Sequence, residues 1–185
     1  MEEFAEKLPI KVIQSREVKW MEMLDRFDEW MRRRYSKILS RTRKGIPQSM
    51  RSKAWMSLTG AVVLKRQSPT RYLDCLQNKQ NVDISRYVED IKKDLHRQFP
   101  SHELFMKREG RLMLFNVLKA YAAHNPEVGY CQAQGPIAAL LLMHMPEEDA
   151  FWLLVRISDF YLKGKIKKKI IFYPRGNFQT LNRFI

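Results

Sequence analysis

Cysteine is nearly missing from this chain: Cys75 and Cys131 are the only two in 185 residues. They lie far apart and form neither a CxxC nor a Cys/His pair with metal-ligand spacing, so a disulfide scaffold and a zinc site are set aside and reduced thiols in a cytosolic protein are expected. Long apolar runs are missing too. The most apolar stretch, Ile137 to Met143, falls far short of the roughly 20 residues that a membrane span requires. The N-terminus, Met1-Glu2-Glu3-Phe4-Ala5-Glu6-Lys7, has no basic segment followed by an apolar one, which argues against a secretory signal. No strand-like alternation and no internal repeat appear. Acidic residues are in deficit, 20 Asp+Glu against 34 Lys+Arg, which leaves a net charge of +14. Such a balance invites anionic partners, whether nucleic acid, acidic lipid or an acidic protein face.

What is present suits one globular domain, with 45% hydrophobic and 29% charged residues. Half of the charge excess sits in residues 163–185, where Lys163, Lys165, Lys167, Lys168, Lys169, Arg175 and Arg183 have no acidic neighbour. Trp20, Leu24, Phe27, Met31, Tyr35 and Ile38 recur at helical spacing and predict one amphipathic helix within an N-terminal extension, residues 1–40. Arg32, Arg33 and Arg34 inside it read as a solvated face, with a phosphate or lipid contact as the alternative. After a basic loop through Arg41 to Pro47, Pro47 and Gly60 bracket a helix over Gln48 to Thr59, with Arg51, Trp55 and Leu58 on one side. A short helix through Tyr72, Cys75 and Leu76 precedes a loop from Asn78 to Asp83.

Ile84, Val88, Ile91 and Leu95 then mark an amphipathic helix whose end carries Asp94 and Arg97, with Pro100 just beyond. Alone, that pair reads as an ordinary surface ion pair. Leu112, Phe115, Leu118 and Ala122 predict a further helix that ends near His124-Asn125-Pro126. A loop follows through Gly129-Tyr130-Cys131-Gln132. Pro136 opens an apolar helix through Ile137, Leu140, Leu141 and Met145. The last helix starts at Pro146 with acidic residues in its first turn and carries Phe151, Leu154, Ile157 and Phe160. His96, His102, His124 and His144 lack metal spacing and read as helix-surface or loop residues, and Cys131 reads as a small packed side chain. The expected fold class is all-α.

Three stretches carry a resemblance. Arg51-Ser-Lys-Ala-Trp55-Met-Ser-Leu58-Thr-Gly60, preceded by Gly45-Ile46-Pro47, is similar to an RxxxWxxLxG block. Ile91-Lys-Lys-Asp94-Leu-His-Arg97, followed by Phe99-Pro100, is similar to IxxDxxR. Gly129-Tyr130-Cys131-Gln132, preceded by Asn125-Pro126, is similar to a YxQ block. In this order they resemble the TBC domain, the GTPase-activating module for Rab-family small GTPases. The wording Tyr130-Cys-Gln-Ala-Gln-Gly-Pro136 and Met143-His-Met-Pro146 further resembles the ezrin-scaffold-binding subgroup.

The resemblance covers roughly residues 41–162 and implies the N-terminal lobe of a two-lobed, entirely helical domain. The second lobe is expected to be absent, replaced by a divergent basic tail over 163–185. It implies Arg97 as an arginine finger and Gln132 as a glutamine finger in trans, with Asp94 orienting Arg97 and Tyr130 positioning the loop. Arg51 and Trp55 are assigned to structure. GTP and Mg2+ would be carried by the partner GTPase, and the chain needs no cofactor of its own. The alternative function is a catalytically inactive fragment that binds a Rab or regulates a relative. A third is a basic peripheral protein whose tail meets an acidic membrane surface from the cytoplasm; no nucleic-acid partner is expected.

Overall fold

The computed structural model describes residues 9–162, and the basic tail therefore lies outside the described residues. Among the described residues every regular element is helical, as expected. Two compact units divide between Ser57 and Leu58.

In the first unit, α1 (Ile10–Asp25), α2 (Phe27–Arg33) and α3 (Tyr35–Arg43) replace the single helix expected there. The helix breaks at Arg26 (φ −122°, ψ 39°) and at Arg34 (φ −136°, ψ 31°). Each break rotates the stripe that follows, so a 3.6-residue period carried through both keeps Trp20 and Ile38 but misplaces Met31 and Tyr35. Trp20, Met23, Trp30 and Ile38 are the buried set, whereas Met31 and Tyr35 are exposed. Arg34 is not simply solvated: its guanidinium lies 4.9 Å from the centroid of the Trp30 ring, and that of Arg41 lies 4.4 Å from it. Such stacking desolvates a cation only partly and holds it against an apolar face. Arg16 donates to the carbonyls of Lys44 and Gly45, both at 2.6 Å. It thereby fixes the turn that enters a 3-10 segment (Gln48–Met50) and α4 (Arg51–Thr59).

Gly60 ends α4 with φ +75°, a left-handed conformation that glycine adopts without a Cβ clash. The second unit, which takes in the last residues of α4, continues with α5 (Ala61–Gln67), which the sequence pattern did not reveal. Seven residues complete less than two turns, so its apolar residues Ala61, Val62, Val63 and Leu64 run together without marking a period. α6 (Arg71–Leu76), α7 (Ser85–Asp94) and the four-residue α8 (Glu103–Met106) lead to α9 (Arg108–His124), followed by α10 (Gln134–Leu142) and α11 (Glu147–Arg156). The core of this unit centres on α9, which packs with α6, α7, α8, α10 and α11.

Leu114, Val117, Leu118 and Tyr121 form the buried side of α9, met by Ala138, Ala139 and Leu141 from α10 and by Phe151 and Leu154 from α11. Leu112, placed on the buried face by the sequence pattern, is exposed, as is Phe160. Phe160 lies past the end of α11 in a π-turn (Ile157–Tyr161), whose wider winding carries it off the apolar stripe, and Arg156 stacks on its ring at 4.5 Å. Glu147, in the first turn of α11, accepts from Tyr72 Oη at 2.6 Å and from Asn116 at 3.3 Å, tying α6, α9 and α11 together. No described helix is long and apolar enough to cross a membrane.

Candidate functional site

α7 is amphipathic because Ile84 and Ile91 go inward while Lys92 and Lys93 face out. It stops as an α-helix at Asp94, and the chain tightens into a 3-10 turn over Leu95–Arg97. Phe99 then takes φ +45°, a left-handed backbone rarely adopted by an aromatic residue, just before Pro100. This places Arg97 on a short, tightly wound projection. Arg97 Nη2 contacts Asp94 Oδ1 at 2.5 Å, and the side chain of Arg97 is 46% exposed against 14% for Asp94. A mostly buried carboxylate thus holds one edge of a guanidinium whose remainder reaches solvent.

The other oxygen of the same carboxylate is also engaged. Tyr130 Oη donates to Asp94 Oδ2 at 2.7 Å, which joins the loop after α9 to the end of α7. Burial, and then the hydrogen bond to Asp94, push the Tyr130 phenol well above its ordinary pKa, so it remains a donor throughout the physiological range. Two residues on, Gln132 is exposed and stands over Arg97. A guanidinium offers only donors, so the carboxamide presents its oxygen, which then accepts from Arg97 Nη1 at 2.7 Å. The resulting chain Tyr130, Asp94, Arg97 and Gln132 brings together four of the six residues singled out in the sequence.

The remaining two, Arg51 and Trp55, belong to the first unit, one turn apart on α4, with Trp55 buried. Cys131 lies between the loop residues as a half-buried thiol whose pKa burial raises, in keeping with a packed rather than nucleophilic side chain.

Several residues that hold this arrangement were not legible in the sequence. Gln134 is 1% exposed, and its Oε1 accepts from the Cys131 amide at 3.1 Å, closing the loop at its far end. Gly135 comes so close to Gln98 that a Cβ there would sit 2.9 Å from Gln98 Nε2, which packs the start of α10 on the residue after Arg97. At the near end of the loop, Asn125 Nδ2 donates to Asp159 Oδ1 at 3.0 Å, and Tyr121 Oη donates to the same oxygen at 2.7 Å. His124 is not a surface residue: it accepts from Arg71 Nε at 3.2 Å and meets the edges of Phe151 and Trp152. Burial and then the nearby Arg71 charge lower its pKa, with Asp159 opposing. It borders a cleft of about 330 Å³ lined by Leu64, Arg71, Trp152, Arg156 and Phe160 among others. Among the described residues no group of three or more His, Cys, Asp or Glu side chains is placed to hold a metal ion.

The sequence matches the RabGAP-TBC family, described as the Rab-GTPase-TBC domain, over residues 48–180, more than half of the chain. The chain is a member of that family. It is 52% identical over 151 residues to the TBC1 domain family member whacked of Drosophila melanogaster, covering 80% of this chain and 41% of that protein. It is 46% identical over 171 residues to TBC1 domain family member 10A of Mus musculus, covering 89% and 33% respectively. To Carabin of Mus musculus it is 45% identical over 155 residues, covering 83% and 34%.

Among solved structures, the Chlamydomonas flagellar RabGAP TBC domain matches with a TM-score of 0.61 at 28% identity, over 81% of this chain and 54% of that one. The chain thus spans about two fifths or less of the lengths of these curated relatives. The Arg97 and Gln132 segments both fall inside the portion that matches the TBC family.

Proposed function

We propose that this chain stimulates GTP hydrolysis on a Rab-family GTPase, with Arg97 as the arginine finger and Gln132 as the glutamine finger, both supplied in trans. The observation that carries the reading is the pairing of an exposed guanidinium with an exposed carboxamide, 2.7 Å apart, on two separate segments braced by one carboxylate. Phosphoryl transfer builds negative charge on the oxygens around the γ-phosphate and needs the attacking water held in line. A guanidinium answers the first need and a carboxamide the second. The nucleotide and its Mg2+ belong to the partner, and this chain supplies positioning and charge.

Before a GTPase docks, Arg97 and Gln132 hydrogen-bond one another. On docking, both groups turn from each other to the nucleotide while Asp94 keeps its hold on Arg97. The basic residues of 163–185 add attraction to an acidic membrane surface, where a lipid-anchored partner would be met. Phosphate release from a panel of GTP-loaded Rab proteins mixed with the full chain tests the reading. Acceleration of at least one member is expected. Acceleration of none contradicts it, and binding without acceleration would identify the chain as a Rab-binding module instead.

A further inference from the structure

Tyr87 stands two turns before Asp94 on the same face of α7, about 10 Å away along the axis, and Ile91 between them is fully buried. These two side chains meet consecutive residues of the finger loop. Asp94 holds the Tyr130 hydroxyl. Tyr87 lies against Gly129 so closely that a methyl group at that position would overlap its Cε1, Cζ and Oη. Gly129 also has φ +62°, so the loop turns at the point where the phenol ring presses on it. No hydrogen bond is needed for this contact to matter. A rigid ring against bare backbone limits how closely the loop approaches α7, while the Asp94 hydrogen bond limits how far it withdraws.

We propose that Tyr87 is a positioning residue for Gln132. Its ring, seated on Gly129, sets the height of the 125–133 loop above α7 and hence where the Gln132 carboxamide stands relative to Arg97. One helix thereby carries the arginine segment at its end and the stop for the glutamine loop on its flank. The inference rests on the role proposed above for Gln132, but its mechanical half can be measured without any GTPase.

The test compares Tyr87→Ala and Tyr87→Phe in the full chain, each alone and combined with Gln132→Ala. Tyr87→Ala is expected to lower kcat roughly tenfold to a hundredfold with KM little changed, since a displacement of about 1 Å carries a cost of that order. Tyr87→Phe keeps the ring and should stay within about threefold of the parent. In the Gln132→Ala background Tyr87→Ala should add nothing, a non-additivity that a merely structural role would not produce.

Hydrogen exchange of the free chain supplies the second readout: amides 129–133 should exchange faster in Tyr87→Ala and not in Tyr87→Phe, with α9 unchanged. Unaltered loop exchange, or a kcat defect that persists in full without Gln132, overturns the proposal. If the parent chain accelerates no GTPase, the functional reading fails while the exchange comparison still decides the role of Tyr87. Should Tyr87→Ala unfold, Tyr87→Leu serves the same comparisons.

Discussion

Asp94 is the residue on which the cluster of Tyr130, Arg97 and Gln132 turns. One of its oxygens takes the guanidinium of Arg97 and the other takes the hydroxyl of Tyr130, so one carboxylate sets the relation between two segments distant in sequence. Arg97→Ala is expected to lower stimulated GTP hydrolysis by about 10³ to 10⁵, and Arg97→Lys to recover little of it because an ammonium lacks the planar fork. Single-turnover phosphate release would measure both.

His124 gives a separate prediction at this scale. Its pKa is lowered from the ordinary 6.5 by burial and by Arg71, against the opposing pull of Asp159. The folded state therefore favours the neutral ring, and that contribution is complete above pH 6.5 and lost as pH falls from there towards the lowered value. Melting temperature followed from pH 8 to pH 5 should fall more steeply for the parent than for His124→Gln. Arg97, Asp94, Tyr130 and Gln132 could be picked out from the sequence because short blocks with fixed spacing name them. Tyr87 and Asp159 could not, since their partners lie far along the chain, and Gln134, whose partner Cys131 is only three residues away, sits at the start of α10 where no period marks it.

Among the elements, legibility followed length and continuity. α9, with seventeen residues, and α7, with a clear apolar face, were readable from spacing. α5 and α8 were not, although the six-residue α6 was, and the breaks between α1, α2 and α3 left no proline or glycine to announce them. Arg26 and Arg34 occupy those breaks instead, and the stacking of Arg34 on Trp30 appears only in three dimensions.

The turns that glycine enforces were easier to anticipate. Gly60→Ala places a Cβ at φ +75° and should destabilise the fold by about 1 kcal/mol, seen as a lower denaturation midpoint with an unchanged slope. Gly129→Ala combines a left-handed backbone with a collision against Tyr87, and its effect should fall on the loop rather than on the core. Phe151→Ala is the contrasting case. That ring is fully buried and packs against Tyr72, His124 and Trp152, so its loss should lower stability by about 3 to 5 kcal/mol.

For the molecule as a whole, the fold class follows from helical periodicity and the absence of alternation, and family membership from three blocks in order along the chain. The charge is unevenly distributed, half of the +14 lying in residues 163–185. Deleting those residues should reduce binding to vesicles containing acidic lipid and flatten its salt dependence; affinity that survives the deletion would argue against a membrane role for the tail.

The proposed function requires that Arg97 and Gln132 address the reacting phosphoryl group. Aluminium fluoride with GDP mimics the γ-phosphoryl group in transfer, and a protein that stabilises the transition state binds that mimic more tightly than GDP alone. Calorimetry or interferometry with a responsive Rab should show at least 10²-fold tighter binding of the chain to the GDP–aluminium fluoride form than to the GDP form, with the preference sharply reduced in Arg97→Ala and in Gln132→Ala. Equal affinity for both forms, or a preference untouched by either substitution, would contradict it.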